Sequence, residues 1–270
     1  MNAFQAAILG LIQGFTEFLP VSSSAHLVLA PAYFGWEFGE AQAFVFDVLV
    51  QWGTLVAVII FFWGDLLPIV RATLLSLRTR KLDDPHARLG WLIVLASIPA
   101  ALIGLLVKDA IQAIFVNAGL AGWLLLVTAV LLIMAEVVGK RLREMETIQP
   151  LDALIIGAFQ ALALLPGISR SGATITGAMS RNLKREAAAR FSFLLSVPVM
   201  IGAGLLALLD LKDIPEAGTF VAPLLIGFLV AALVGYWSIK WLLKFLATRS
   251  LYPFAIYCIV LGGFSIWLFA

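Results

Sequence analysis

The chain has 270 residues, of which 62% are hydrophobic and 13% charged, with a formal net charge of +2. Soluble domains are about 45–50% apolar and about 25% charged, so a water-soluble fold of this length is excluded and lipid is the solvent. The single cysteine, Cys258, excludes an internal disulfide and a cysteine-based zinc site, and the small net charge gives no reason to expect a nucleic-acid partner.

In chain order, the first apolar segment, 3–35, is broken midway by Pro20 and the run Ser22-Ser23-Ser24. It lacks the basic start and cleavage site of a signal peptide. Unbroken apolar stretches follow at 44–63, 89–107 and 120–138, each close to the roughly 20 residues that cross a bilayer. A second broken segment, 151–180, contains Pro166-Gly167, and further stretches lie at 191–209, 222–242 and 251–269. The expected fold is an all-α integral membrane protein, a single domain over 1–270 with six transmembrane helices.

Lys and Arg stay on the cytoplasmic side of a membrane protein. Loops 64–88, 139–150, 181–190 and 240–249 hold fifteen of the eighteen basic residues. The intervening loops hold two, Lys108 and Lys212, and Arg170 lies in neither set. The alternation fits six crossings. It also makes segment 151–180 enter and leave on one face, and 3–35 dip in from the other. Each half, approximately 1–140 and 150–270, becomes a re-entrant helical hairpin followed by three crossings, in opposite topology, the inverted-repeat plan of many transporters. A shift of 147 places Gly10 on Gly157, Gln13 on Gln160, Ser22 on Ser169 and Ser24 on Ser171. The likeness of Ser97-Ile98-Pro99 to Ser196-Val197-Pro198 falls outside this register.

Interrupted backbone at membrane depth survives only where protein buries it or it lines a wet cavity. The two tips carry the unusual residues: Gln13, Glu17, Ser22, Ser23, Ser24 and His26, then Ser169, Arg170, Ser171, Thr174 and Thr176. Glu17 and Arg170 form the expected charge pair. The Arg170 guanidinium matches phosphate oxygens in bidentate fashion. Ser169, Ser171, Thr174, Ser22 and Ser24 add hydroxyls, some at a helix start that favours an anion. Gln13 and Glu17, at i,i+4, suit a hard cation, Mg²⁺ or Ca²⁺. Ser23 and His26, at i,i+3, have the spacing of a nucleophile with an adjacent base. Asp47, at the outer start of a crossing, lines the cavity or caps its helix. Gln51 and Gln160 are weaker candidates.

Gln13-Gly14-Phe15-Thr16-Glu17-Phe18-Leu19-Pro20 followed by Val21-Ser22-Ser23-Ser24-Ala25-His26 resembles the first signature of the bacterial undecaprenyl-pyrophosphate phosphatases, the bacitracin-resistance family. Pro166-Gly167-Ile168-Ser169-Arg170-Ser171-Gly172-Ala173-Thr174 resembles the second. The resemblance covers essentially the whole chain. It implies hydrolysis of undecaprenyl diphosphate to the monophosphate, which recycles the lipid carrier for peptidoglycan synthesis. It also implies a divalent cation, a bacterial inner-membrane location and a pocket open to the periplasm. By motif position, Glu17, Ser23, His26 and Arg170 are the implied catalytic set, with Gln13, Ser169 and Thr174 in support. One departure is Ser24-Ala25, where the family signature has Thr-Gly. The nucleophile stays open between Ser23, His26 and water, and the proton acceptor between His26 and Glu17. The alternative is a transporter or flippase for polyprenyl phosphates, which would not require Ser23 beside His26. The partners expected are the polyprenyl diphosphate and the bilayer, with a homo-oligomer left open.

Overall fold

A computed structural model describes the backbone at 1–114, 117–210 and 217–270, and the side chains there apart from 40–41, 108–114, 209–210 and 217–219. The described residues form eleven α-helices and a 3₁₀ turn (Met145–Thr147), with no strand among them. Lys108 and Lys212, the two basic residues read onto the sparsely charged face, lie outside the described side chains.

Helix α1 (Ala3–Thr16) starts with a capping box in which Asn2 and Gln5 bond each other's backbone N–H groups. Near Pro20 the chain leaves the helix, and α2 (Ser23–Phe34) restarts behind Ser22, whose hydroxyl accepts from the Ala25 N–H. The second broken segment repeats this plan. Helix α7 (Pro150–Leu162) stops before Pro166-Gly167, and α8 (Arg170–Ser180) restarts behind Ser169, whose hydroxyl accepts from the Gly172 N–H. At both breaks a proline, Pro20 or Pro166, lacks the N–H that the carbonyl four residues back, at the last residue of α1 or α7, would accept, and a serine caps the next helix.

Among the described residues six helices are long and apolar enough to cross a membrane: α3 (Glu40–Phe61), α5 (Pro85–Ile114), α6 (Ala118–Val138), α9 (Arg185–Asp210), α10 (Ala217–Leu246) and α11 (Tyr252–Phe269). They cover the six stretches read from sequence. The chain is thus an all-helical, multi-pass membrane protein, and its exposed apolar side chains, Leu106, Leu233 and Trp267 among them, face lipid rather than water.

The sequence reading is corrected between α3 and α5. The segment 64–88, read as a basic loop, contains α4 (Trp63–Thr79), which packs against α5. Only a break at Phe62 (φ −98°, ψ 19°) separates it from α3. Asp65 sits in its first turn and pairs with Arg190 at 2.9 Å, tying α4 to α9.

Close helix approaches are made by small residues. A Cβ at Gly10 would lie 2.4 Å from the Gly227 carbonyl oxygen, so α1 rides directly on α10. A Cβ at Gly157 would lie 2.4 Å from the Ala96 carbonyl oxygen, so α7 rides on α5 in the same way. Helix α3 crosses α9 and α10, and α6 lies along α11. The first break is anchored by Phe18, fully buried and edge-on to Phe193 of α9 at 5.3 Å between ring centres.

Candidate active site

The two helix breaks meet. The Gly167 N–H of the second donates to Ser24 Oγ of the first (3.3 Å), and Ser171 Oγ donates to the Leu19 carbonyl (3.1 Å). Between them Arg170 Nη2 donates to Glu17 Oε1 at 2.7 Å. Glu17 is the centre of the cluster. Its other oxygen, Oε2, accepts from Gln13 Nε2 and from Ser23 Oγ, both at 2.7 Å. Since a carboxylate only accepts, the Ser23 hydroxyl proton points at Glu17 and the Gln13 amide nitrogen faces the carboxylate.

Each tip has the same local construction. Ser22 and Ser24 lie 3.1 Å apart through their hydroxyls, as do Ser169 and Ser171. Ser22 needs a positive φ of 67°, and Gly167 takes φ 119° against α6. Thr128 of α6 holds the second tip, donating to the Gly167 carbonyl and accepting from the Ser169 N–H, each at 3.0 Å. The N-termini of α2 and α8 thus converge on one place, where their dipoles favour an anion.

A cavity of about 190 Å³ lies there, lined by Glu17, Ser22, Ser23, Ser24, Ser169 and Arg170, with Gln51 of α3 and Gln160 of α7. It shares Val48, Ala100, Leu164, Val199 and Ala203 with an almost wholly apolar cavity of about 550 Å³ between α3, α5 and α9. A polar chamber therefore adjoins an apolar one. Ser97 of α5 and Pro198 of α9, from the two similar tripeptides, both line the apolar chamber.

Among the described residues three buried side-chain polar atoms lack partners: Arg170 Nη1, Gln13 Oε1 and Gln160 Oε1. Leaving such groups unmade costs about 1–3 kcal/mol each, a cost that a bound ligand or an ordered water would remove. Arg170 Nη1 offers a donor suited to a phosphate oxygen. Gln13 Oε1 is the free acceptor of an amide whose nitrogen faces Glu17, so the pair matches the donor set of a hard cation only with the amide turned over. No group of three or more His, Cys, Asp and Glu that could cage a metal exists among the described residues.

Several sequence candidates are placed differently. Ser23 bonds Glu17, and His26 turns away: its Nδ1 lies 2.7 Å from the Ser22 carbonyl and its Nε2 lies 2.7 Å from the Tyr257 hydroxyl. Thr174 is fully buried, donating to the Arg170 carbonyl (2.8 Å) with Ser192 of α9 at 2.6 Å, so it braces α8. Thr176 likewise bonds the Leu131 and Gly172 carbonyls. Asp47 is buried in a separate cavity of about 170 Å³ beside Trp36 and Phe38. The reading missed Thr128, Ser192 and Tyr257, single polar groups inside apolar stretches with no motif to mark them.

Fold and site together define a multi-pass membrane protein with a buried carboxylate–serine–arginine centre opening onto an apolar chamber. The family model of bacitracin resistance protein BacA matches residues 6–264, and the chain belongs to that family. It is 44% identical over its full length to the undecaprenyl-diphosphatase of Thioalkalivibrio sulfidiphilus, all of which is covered. It is 43% identical to that of a Nocardioides species, covering all of this chain and 97% of the relative. The corresponding protein of Methanosphaera stadtmanae is 42% identical, with 98% of each chain covered.

Proposed function

We propose that this chain hydrolyses undecaprenyl diphosphate to undecaprenyl phosphate and inorganic phosphate, recycling the lipid carrier for peptidoglycan synthesis. One observation carries the reading: Ser23 donates to Glu17 at 2.7 Å, Arg170 binds the same carboxylate, and its second nitrogen, Nη1, is buried without a partner. A lone ion pair has no use for that spare donor, whereas a phosphoryl group completes it. The apolar chamber next door suits a prenyl chain, which needs burial rather than specific contacts.

Arg170 Nη1, the tip hydroxyls and the two helix N-termini hold the diphosphate. Ser23 Oγ attacks the terminal phosphorus while Glu17 Oε2 takes its proton. The new O–P bond forms as the bond to the bridging oxygen breaks, and undecaprenyl phosphate leaves. Water then cleaves the phosphoserine to release phosphate. Direct attack by water, with Glu17 taking its proton, would use the same groups. A divalent cation, either Mg²⁺ or Ca²⁺, would be held by Gln13 and Glu17 with the Gln13 amide turned so that its unpartnered oxygen replaces the nitrogen at the carboxylate. So few protein ligands favour Mg²⁺, which keeps its waters and takes substrate phosphate oxygens. Bound there, it would neutralise charge on the diphosphate.

The finer architecture belongs to this reading. The two broken segments are re-entrant hairpins within an inverted repeat of a single membrane domain. Matching serine pairs at the tips, orphaned amide oxygens on Gln13 and Gln160, and close approaches at Gly10 and Gly157 support it. The lipid-carrier reading implies a bacterial inner membrane and a cavity open to the periplasm, and the lining of the apolar chamber by Leu205 and Leu206, at the end of α9 away from the basic 181–190 segment, supports that side.

The test is phosphate release by the purified protein from undecaprenyl or farnesyl diphosphate, with Mg²⁺ and with EDTA, beside Glu17→Ala and Arg170→Ala. Metal-dependent release that collapses in both variants is expected. Tight binding without release, from folded protein, would replace the phosphatase with a carrier.

A further inference from the structure

We propose that Tyr257 is a positioning residue for this hydrolysis, acting through His26 on the turn at Ser22 that aims Ser23 at Glu17; the inference rests on the phosphatase reading. Ser22 is a buried L-residue at φ 67° and ψ 96°, a conformation that persists only when its surroundings hold it. Its carbonyl accepts from His26 Nδ1 at 2.7 Å and from the His26 backbone N–H at 3.3 Å. A carbonyl can only accept, so Nδ1 carries the proton. In the neutral ring Nε2 is then an acceptor, and the Tyr257 hydroxyl donates to it at 2.7 Å. The two rings lie nearly parallel, at 3°.

Both imidazole nitrogens are thus engaged on the side away from the polar chamber, which neither His26 nor Tyr257 lines. A line of contacts runs from α11 to the site: Tyr257 to His26, His26 to the Ser22 carbonyl, and, one residue on, Ser23 to Glu17 and Arg170. The turn carries a second load, since Ser24 Oγ accepts from Gly167 of the opposite tip. Freeing the ring at Nε2 lets it swing off the Ser22 carbonyl, and the strained turn relaxes. Ser23 then loses its aim, while the chamber that binds the diphosphate keeps its lining.

The experiment uses the full-length protein in detergent. Tyr257→Phe removes the hydroxyl and keeps the ring. The expected result is a kcat lowered about tenfold, the scale of one lost hydrogen bond, with KM changed less than about twofold. Combined with His26→Ala, it should lower kcat no further than His26→Ala alone. Because the chain has two histidines, His86→Gln leaves His26 as the only one. Its nitrogen-15 spectrum should show the Nδ1–H tautomer with Nε2 hydrogen-bonded, and the Nε2 signal should move in Tyr257→Phe. Unchanged kcat, a rise in KM alone, or multiplicative losses in the double variant would each overturn the proposal, the second by making Tyr257 a contact for the prenyl chain. Absence of phosphate release from the unsubstituted protein would instead remove the phosphatase reading, and the spectrum would still decide whether Tyr257 holds His26.

Discussion

Glu17 gathers donors from Gln13, Ser23 and Arg170 on two buried oxygens, so every substitution around it changes a charge balance as well as a contact. Arg170→Ala leaves that carboxylate buried and unpaired, which costs about 3–5 kcal/mol where a buried pair is broken, and it removes the donor at Nη1. Phosphate release should fall by roughly 100-fold to 1,000-fold, the usual effect of losing a donor to developing charge. Arg170→Lys should recover stability more than rate, because an ammonium satisfies Glu17 but cannot reach a second acceptor with a fixed fork. Parallel thermal melts and initial rates separate the two effects. Ser23→Ala discriminates the nucleophile: serine attack predicts loss of nearly all turnover and of any phosphoenzyme trapped with labelled substrate, whereas water attack leaves substantial turnover. These residues were visible in the sequence as polar groups in apolar surroundings. The Glu17–Arg170 pair was legible too, but Ser23 and His26, within reach at i,i+3, do not pair, because Ser23 bonds Glu17 while the Ser22 carbonyl and the Tyr257 hydroxyl hold the His26 ring.

At the level of helices, hydropathy revealed all six crossings, since a run of about 20 apolar residues has few other uses. The breaks were equally plain from Pro20 and Pro166-Gly167. Helix α4 was hidden because Arg71 and Arg78 gave its sequence the charge of a loop, although Leu66, Ile69, Val70, Leu74 and Leu77 recur at helical spacing. The turn into α8 offers the sharpest test of how an element fixes the site. At φ 119°, Gly167 occupies backbone space that side chains rarely adopt, and a Cβ there would lie 2.5 Å from Leu124 Cβ. Gly167→Ala should destabilise the protein by about 2 kcal/mol or more. It should also slow turnover, because Ser169 and Arg170 follow directly. Gly64→Ala, which meets nothing within 4 Å, should leave both unchanged. Thermal unfolding in detergent and phosphate release read the pair.

Across the whole molecule the polar face is bolted at Glu136. This buried carboxylate accepts from Arg141 and Arg185 and from the Leu251 N–H, joining the end of α6 to the starts of α9 and α11. Glu136→Ala leaves the Leu251 N–H and two partly exposed arginines without their acceptor and should cost about 1–3 kcal/mol. Glu144, paired with Lys184 in the open, should be worth less than about 1 kcal/mol. The same basic face predicts an orientation. If Lys and Arg mark the cytoplasm, residues 80–84 lie inside and the 35–39 link between α2 and α3 lies outside. Cys258 is the only native cysteine and is buried, so a cysteine placed at exposed Gly39 or exposed Asp83 reports with little background. A membrane-impermeant maleimide on intact spheroplasts should label Gly39→Cys at once, and Asp83→Cys only after permeabilisation. The opposite pattern would invert the protein and turn the cavity toward the cytoplasm. Labelling of both from outside would break the six-crossing topology itself, since an odd number of crossings must separate the two positions, and α3 is the only such helix between them.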